Sequence, residues 1–211
     1  MRAKTTRRGL ARLACLAFAL VLAVGAGLSL AGCKQAEEQL IRAGLTQSLD
    51  ALKNPSRESL EPYVSQLGQD GVSRLEGCGI DVYDLAAHVL KGFDYQLGDV
   101  SVDGDTATAA VHVKGRDLAP ALEATWSGFS SGEGMAELVS AYQDGGEAAV
   151  AQKLLSRFYE NLDASDAQVE GDVTLDLVKG EDGWQPTKDD AQRMADVLFG
   201  NIDLSSLESL V

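Results

Sequence analysis

The chain is 211 residues long and carries 32 Asp and Glu against 18 Lys and Arg, a net charge of −14. That balance excludes nucleic acid as a partner, because phosphate binding needs a surface of the opposite sign. The length suits one domain with a leader.

Arg2, Lys4, Arg7, Arg8 and Arg12 precede the first acidic residue, Glu37, and an apolar run from Leu13 to Leu30 follows them. A positive head, an apolar core and a small-residue end make an export signal. The run is near the length that spans a bilayer, but Gly25, Gly27 and Ser29 crowd its last third and no basic stop-transfer cluster follows. Thr6-Arg7-Arg8-Gly9-Leu10 partly matches a twin-arginine signal, whereas the long hydrophobic core favours the general secretory route. Leu30-Ala31-Gly32-Cys33 resembles the lipobox of bacterial lipoproteins. That resemblance implies a cleaved signal over 1–32 and a diacylglycerol on the Cys33 sulfur. It also implies a tether over 33–38 and one extracytoplasmic domain over 39–211, held at the cell membrane. Residues 33–211 keep all 32 acidic residues and thirteen Lys and Arg, a net −19. Anionic headgroups should repel such a surface, leaving attachment to the lipid.

Cys15 falls in the leader and Cys33 takes lipid, so Cys78 stands alone without a bridging partner. With only Arg74 nearby to lower its thiol pKa, it is expected to be buried and inert.

Ile41, Leu45, Leu49 and Leu52 repeat with helical spacing over 39–53, and Asn54-Pro55 ends that helix. A second helix is expected over 59–67 with Pro62 in its first turn, and a short turn over 70–76. Asp81 should cap a helix over 82–91 that Gly92 closes. The period then switches to two. Phe93, Tyr95, Leu97, Val100 and Val102 lead to an Asp103-Gly104 turn, and Ala107, Ala109, Val111 and Val113 return on one face. Residues 117–162 read as helical, interrupted around 127–134 and broken at Gly145-Gly146. Within them Met135, Leu138, Val139 and Tyr142 share a face. Val173, Leu175 and Leu177 alternate, Asp182-Gly183 turns, and Trp184 sits on the return. Thr187 or Asp189 begins a last helix, and a tail covers 203–211.

The expected fold class is α+β. N-terminal helices pack on a curved antiparallel sheet of about four strands, with a helical insert between two hairpins and a C-terminal helix. A split into 33–92 and 93–211 is the lesser alternative. The lipobox, the helical lead, Val100 to Ala109, and Asp182-Gly183-Trp184 running to Leu198-Phe199-Gly200-Asn201 are together similar to uncharacterised bacterial surface lipoproteins. Those proteins belong to the nuclear-transport-factor-like, or cystatin-like, class. The resemblance implies a cone with an apolar mouth, and a class that holds isomerases, dehydratases and many non-enzymes. This chain departs from it in having few strands and a long helical insert.

The residues themselves assemble no catalytic set. His88 shares a helix arc with Asp81, Asp84 and Lys91, a solvated face without the further ligands that zinc or calcium needs. His112 lies on the polar face of its strand. Gly-x-Ser-x-Gly and phosphate-loop patterns do not occur. Asp94 and Tyr95 are adjacent in a strand and point to opposite faces, so they cannot both line one cavity. No cofactor or metal is expected. The candidate ligand pocket comprises Tyr95, Trp126, Phe158 and Trp184, with Phe129 and Tyr159 beside them, between insert and sheet. The expected partners are the membrane, through lipid on Cys33, and an apolar small ligand or a surface protein. The expected function is non-catalytic binding, with a cone-fold proton-transfer enzyme as the alternative.

Overall fold

A computed structural model describes residues 34–65, 68–181 and 183–199. The leader 1–32, Cys33, the end of the second helix at Leu67, the turn residue Asp182 and the tail 203–211 lie outside the described residues. Four helices come first: α1 (Lys34–Lys53), α2 (Arg57–Val64), α3 (Gly68–Gly77) and α4 (Val82–Leu90). The hairpin β1 (Asp94–Asp103) and β2 (Thr106–Arg116) follows. Next come α5 (Ala119–Phe129) and α6 (Gly132–Ala164), then β3 (Gln168–Gly180), β4 (Gly183–Pro186) and α7 (Lys188–Phe199). The strands form one antiparallel sheet in the order β1-β2-β3-β4. The chain is therefore an α+β protein with N-terminal helices, an insert between hairpins and a C-terminal helix.

The leucine stripe of α1 decides where that helix goes. Ile41, Leu45, Leu49 and Leu52 are at most 1% exposed and press on the sheet face that carries Val102, Ala107, Ala109, Val111, Val113, Val173, Leu175 and Leu177. Burying each such side chain contributes about 1.5–3 kcal/mol. Ion pairs tie the two ends of the helix, Glu37 to Lys179 at 2.5 Å and Lys53 to Asp94 at 2.6 Å. At about 0–1 kcal/mol each they fix its direction and not its attachment. Thus α1 crosses the sheet from the β3–β4 turn to the start of β1. Trp184 of β4 and Met194 and Leu198 of α7 complete the same cluster. The opposite sheet face shows Thr106, Thr108, Ala110 and Thr174 to solvent, the alternation read from the sequence. Apolar side chains of the helices and of the covered sheet face meet in one core cluster.

Two helix starts differ from expectation for local reasons, and a third is built around a buried carboxylate. α1 begins at Lys34, so the residues expected as a tether are helical from that point. Ser56, not Ser59, caps α2. Its side chain accepts from Ser59 N while Ser59 Oγ accepts from Ser56 N, a reciprocal capping box that places Pro62 in the second turn. Before α7, Thr187 donates both its N–H (2.7 Å) and its hydroxyl (2.9 Å) to Asp190, whose other oxygen accepts from Asp176 N of β3 at 2.9 Å. Arg193 also pairs with Asp190 and with Asp176. Asp190 is fully buried, so a carboxylate with all its lone pairs engaged joins β3 to the last helix.

The insert is a small helical bundle. Within α6, Gly145 and Gly146 leave the helical region, and Gly146 has φ +65°, a conformation that favours glycine. Glu137, before the break, pairs with Lys153 at 3.2 Å and Arg157 at 3.7 Å after it. A straight helix would hold residues 137 and 153 about 24 Å apart, so the segments 132–144 and 147–164 fold back on each other. α5 joins them. Asn161 Nδ2 donates to Thr125 Oγ1 at 2.9 Å, the Arg157 guanidinium lies over Phe129, and Gly134 sits against Gly128 and Phe129 so closely that a Cβ would meet backbone. Leu118, Ala121, Phe158 and Leu162 make a second core that reaches Val89 of α4 and Phe199 of α7. Every buried apolar side chain among the described residues lies between Ile41 and Leu198, so residues 34–199 hold a core of their own.

Candidate functional site: a groove beside the first helix

Next to its leucine stripe, α1 presents Gln39, Arg42, Ala43, Thr46, Gln47 and Asp50, spaced so that they form the adjoining face. They line an open groove of about 590 Å³. β1 runs beside the same helix, and its register with β2 slips between Leu97 and Val100. A bulge at that point frees backbone groups from the ladder, and Arg42 Nη2 donates to the released Gly98 carbonyl at 2.9 Å. Tyr95 reaches in from the strand, its hydroxyl donating to Asp50 Oδ1 at 2.8 Å and lying 3.3 Å from the Thr46 carbonyl. Partial burial first, and the Asp50 carboxylate second, push the Tyr95 phenol up to about 12. It therefore stays a hydrogen-bond donor at neutral pH. Three turns of α1 offer a guanidinium, a carboxylate and two amides, and Tyr95 of β1 sets a phenol beside them. That set suits recognition of a polar or zwitterionic group and supplies no nucleophile with an adjacent base.

The four aromatics expected to share a pocket do not meet in one. Tyr95 borders the groove. Trp184 is 1% exposed in the main core, and Phe158 belongs to the second core. Trp126 lies half-buried on α5 and in neither cluster. The insert packs on itself and on the ends of α4 and α7, so it does not close over the sheet face as the pocket required. Phe129 is buried within the insert beneath Arg157.

One cluster does bring acid–base side chains together. The His88 ring stacks on Tyr159 with centroids 3.8 Å apart and planes 4° from parallel. His88 Nδ1 is 2.9 Å from the Asp84 carbonyl, which can only accept, so Nδ1 carries the proton; the Asp84 carboxylate is 3.6 Å away. His88 is thus half-buried against Tyr159, a correction to the solvated face expected for it. The Tyr159 hydroxyl is out of contact with solvent and lacks a well-formed hydrogen bond. Burial, and then the negative charge of Asp84, raise its pKa well above the usual phenol range. The imidazole lying flat on the phenol keeps a substrate from reaching that face. Asp81 is engaged elsewhere, capping α4 through Tyr83 N at 2.9 Å and pairing with Arg57 at 2.6 Å. Those backbone hydrogen bonds hold its carboxyl below the usual range. Among the described residues no three His, Cys, Asp or Glu converge as metal ligands.

His112 pairs with Asp172 at 2.9 Å on the open sheet face. Asp94 and Tyr95, expected on opposite faces of the strand, both reach the C-terminal half of α1, Asp94 through Lys53 at 2.6 Å and Tyr95 through Asp50 at 2.8 Å. Cys78 is free but only half-buried, where the sequence had suggested full burial, because its glycine-flanked turn lies at the end of α3. The groove residues of α1 were missed. Their helical spacing is visible in the sequence, but nothing local separates a groove wall from an ordinary solvated face.

Comparison with known proteins finds no family model, no curated protein and no solved structure that matches this chain.

Proposed function

We propose that the chain is an extracytoplasmic lipoprotein, anchored to the cell membrane through Cys33, whose α+β domain binds a ligand or partner without chemistry. The observation that carries this reading is Leu30-Ala31-Gly32-Cys33 at the end of a basic-then-apolar leader. Lipid on Cys33 would hold the start of α1 and the nearby β3–β4 turn against the bilayer. Among the described residues no helix is long and apolar enough to cross a membrane, so attachment in this reading falls to the lipid. The likeness to the nuclear-transport-factor-like class remains part of the proposal, supported by the element order. The groove of Arg42 and Asp50, with Tyr95 beside it, supports the binding role. The enzyme alternative draws its support from the Asp84–His88–Tyr159 cluster, whose phenol is covered.

Intact-mass measurement of the membrane fraction tests the anchor. A mature chain beginning at an acylated Cys33 is expected, with Cys33→Ala unlipidated. An unmodified Cys33 in the wild type would overturn the reading. A thermal-shift screen on residues 34–211 tests binding, since a ligand at roughly 100 times its Kd adds about 2.7 kcal/mol of stability. Hits should weaken in Arg42→Ala.

A further inference from the structure

The sequence marks Met135, Leu138, Val139 and Tyr142 as one apolar helix face, yet the fold leaves most of it uncovered. Only Leu138 turns inward. Met135, Val139 and Tyr142 are 54%, 51% and 59% exposed, three of the five large apolar side chains left exposed among the described residues. They fall at i, i+4 and i+7, a stripe about 10 Å long. Soluble surfaces scatter such residues singly, and a contiguous group marks an interaction site. Its surroundings have one sign of charge. From Asp117 to Gln152 there is no Lys, Arg or His, while Glu123, Glu133, Asp144 and Glu147 stand exposed. Glu137 is the acid of this stretch that Lys153 and Arg157 neutralise. The uncovered stripe therefore sits in a negative field.

We propose that the segment 132–144 docks a cationic amphipathic helix of another protein, its apolar residues seated on Met135, Val139 and Tyr142 and its Lys and Arg attracted by the acidic insert. An i, i+4, i+7 row is the contact pattern of a helix laid along a helix. The same charge disfavours the other occupants. A second copy would bring two acidic inserts together, an anionic bilayer would be repelled, and residues 200–211 carry Asp203 and Glu208 without a cation. The basic leader 1–32 also matches the charge of the insert, so setting it aside rests on its removal in the lipoprotein reading; the groove of α1 lies on a different element and plays no part.

The test uses residues 34–211 and two synthetic helices with the same leucine face, one with lysine on its polar side and one with glutamate. Fluorescence anisotropy should show the lysine helix binding, with affinity falling as salt rises, and the glutamate helix not binding. Met135→Ser/Val139→Ser/Tyr142→Ser keeps every charge and should weaken binding at least about tenfold, with an unchanged melting temperature showing that the fold survives. Glu133→Gln/Asp144→Asn/Glu147→Gln should weaken binding and flatten its salt dependence. Equal binding to the serine variant, or none to wild type, overturns the proposal. So does dimerisation, or sedimentation with anionic vesicles, that the serine substitutions abolish. Binding that appears only once residues 200–211 are removed would assign the stripe to this chain's own tail and equally overturn it.

Discussion

Replacing Asp190 with alanine should cost more than any other single polar substitution in the C-terminal third. The carboxylate is fully buried, and it accepts from Asp176 N, Thr187 N, the Thr187 hydroxyl and Arg193. Its loss orphans the partly buried Asp176 N–H, at about 1–1.5 kcal/mol, the lower end of the range for buried donors, while the Thr187 N–H keeps the Asp176 carbonyl at 2.9 Å. The lost anchoring of the helix start adds about 1 kcal/mol. Arg193 is 41% exposed and turns to water, so its lost pair adds only about 0–1 kcal/mol. The total is about 2–3.5 kcal/mol, a sizeable part of the roughly 5–15 kcal/mol that holds a domain together. In a protein of this size it lowers the melting temperature by about 5–10 °C. Thermal and urea unfolding of residues 34–211 reads the change. Asp190→Asn, which keeps the shape and one acceptor, should lose about half as much, and Asp189→Ala, at an exposed site, less than about 1 kcal/mol. An Asp190→Ala protein within about 0.5 kcal/mol of wild type would show that β3 and α7 are joined by apolar packing alone.

Trp184→Ala should destabilise by about 3–5 kcal/mol because the indole is in the core; unchanged urea unfolding would place Trp184 at the surface. Gly134→Ala forces a Cβ toward the Gly128 carbonyl and to 2.7 Å from Phe129 Cα. It should open the α5–α6 contact at about 1–3 kcal/mol, seen as faster hydrogen exchange confined to the insert. Asp163 has its pKa lowered by hydrogen bonds from Lys91 and then Arg116. A carboxylate depressed in the fold stabilises above its unfolded value, near 3.8, and loses that contribution as pH falls through its folded value. Acid melting curves should therefore steepen below about pH 4, less so in Asp163→Asn. The Tyr95 phenol is raised from 10.0 to about 12, so its contribution is present below pH 10 and lost between those values. Tyr95→Phe should flatten the alkaline decline.

The elements that local pattern specifies were readable in the sequence. The alternation of Ala107 to Val113, the Asp103-Gly104 turn, the Asp81 cap and the leucine stripe of α1 each encode their own structure within a few residues. What stayed hidden depended on distant parts of the chain. Asp190 looked like one more helix-start acid beside Asp189, because its burial comes from Asp176, on another strand. The four candidate pocket aromatics were grouped on the idea that the insert covers the sheet. An ion pair between Glu137 and Lys153, across a double glycine, instead turns the insert back on itself. Met135, Val139 and Tyr142 read as part of one apolar face, and periodicity reports amphipathicity but not what stands opposite. The groove needed both the bulge in β1 and the diagonal path of α1.

The way the insert is attached bears on how the chain reaches its native state. Arg116 pairs with Gln168, and Asp117 N donates to the Ala167 carbonyl at 3.0 Å, so residues 117–167 leave and rejoin the sheet at neighbouring points. Joining β2 to β3 must close that whole stretch, but loop entropy rises only by about 0.6 kcal/mol for each doubling of length. Helical pairing inside the stretch draws its ends together beforehand and lowers even that cost. The insert is thus a detachable unit on the topology. A chain with a tight turn in place of 117–167 keeps every β2–β3 partner, loses the second core, and folds by a route of lower contact order. Length variation at this point would then be the cheapest way for such a scaffold to change what it displays.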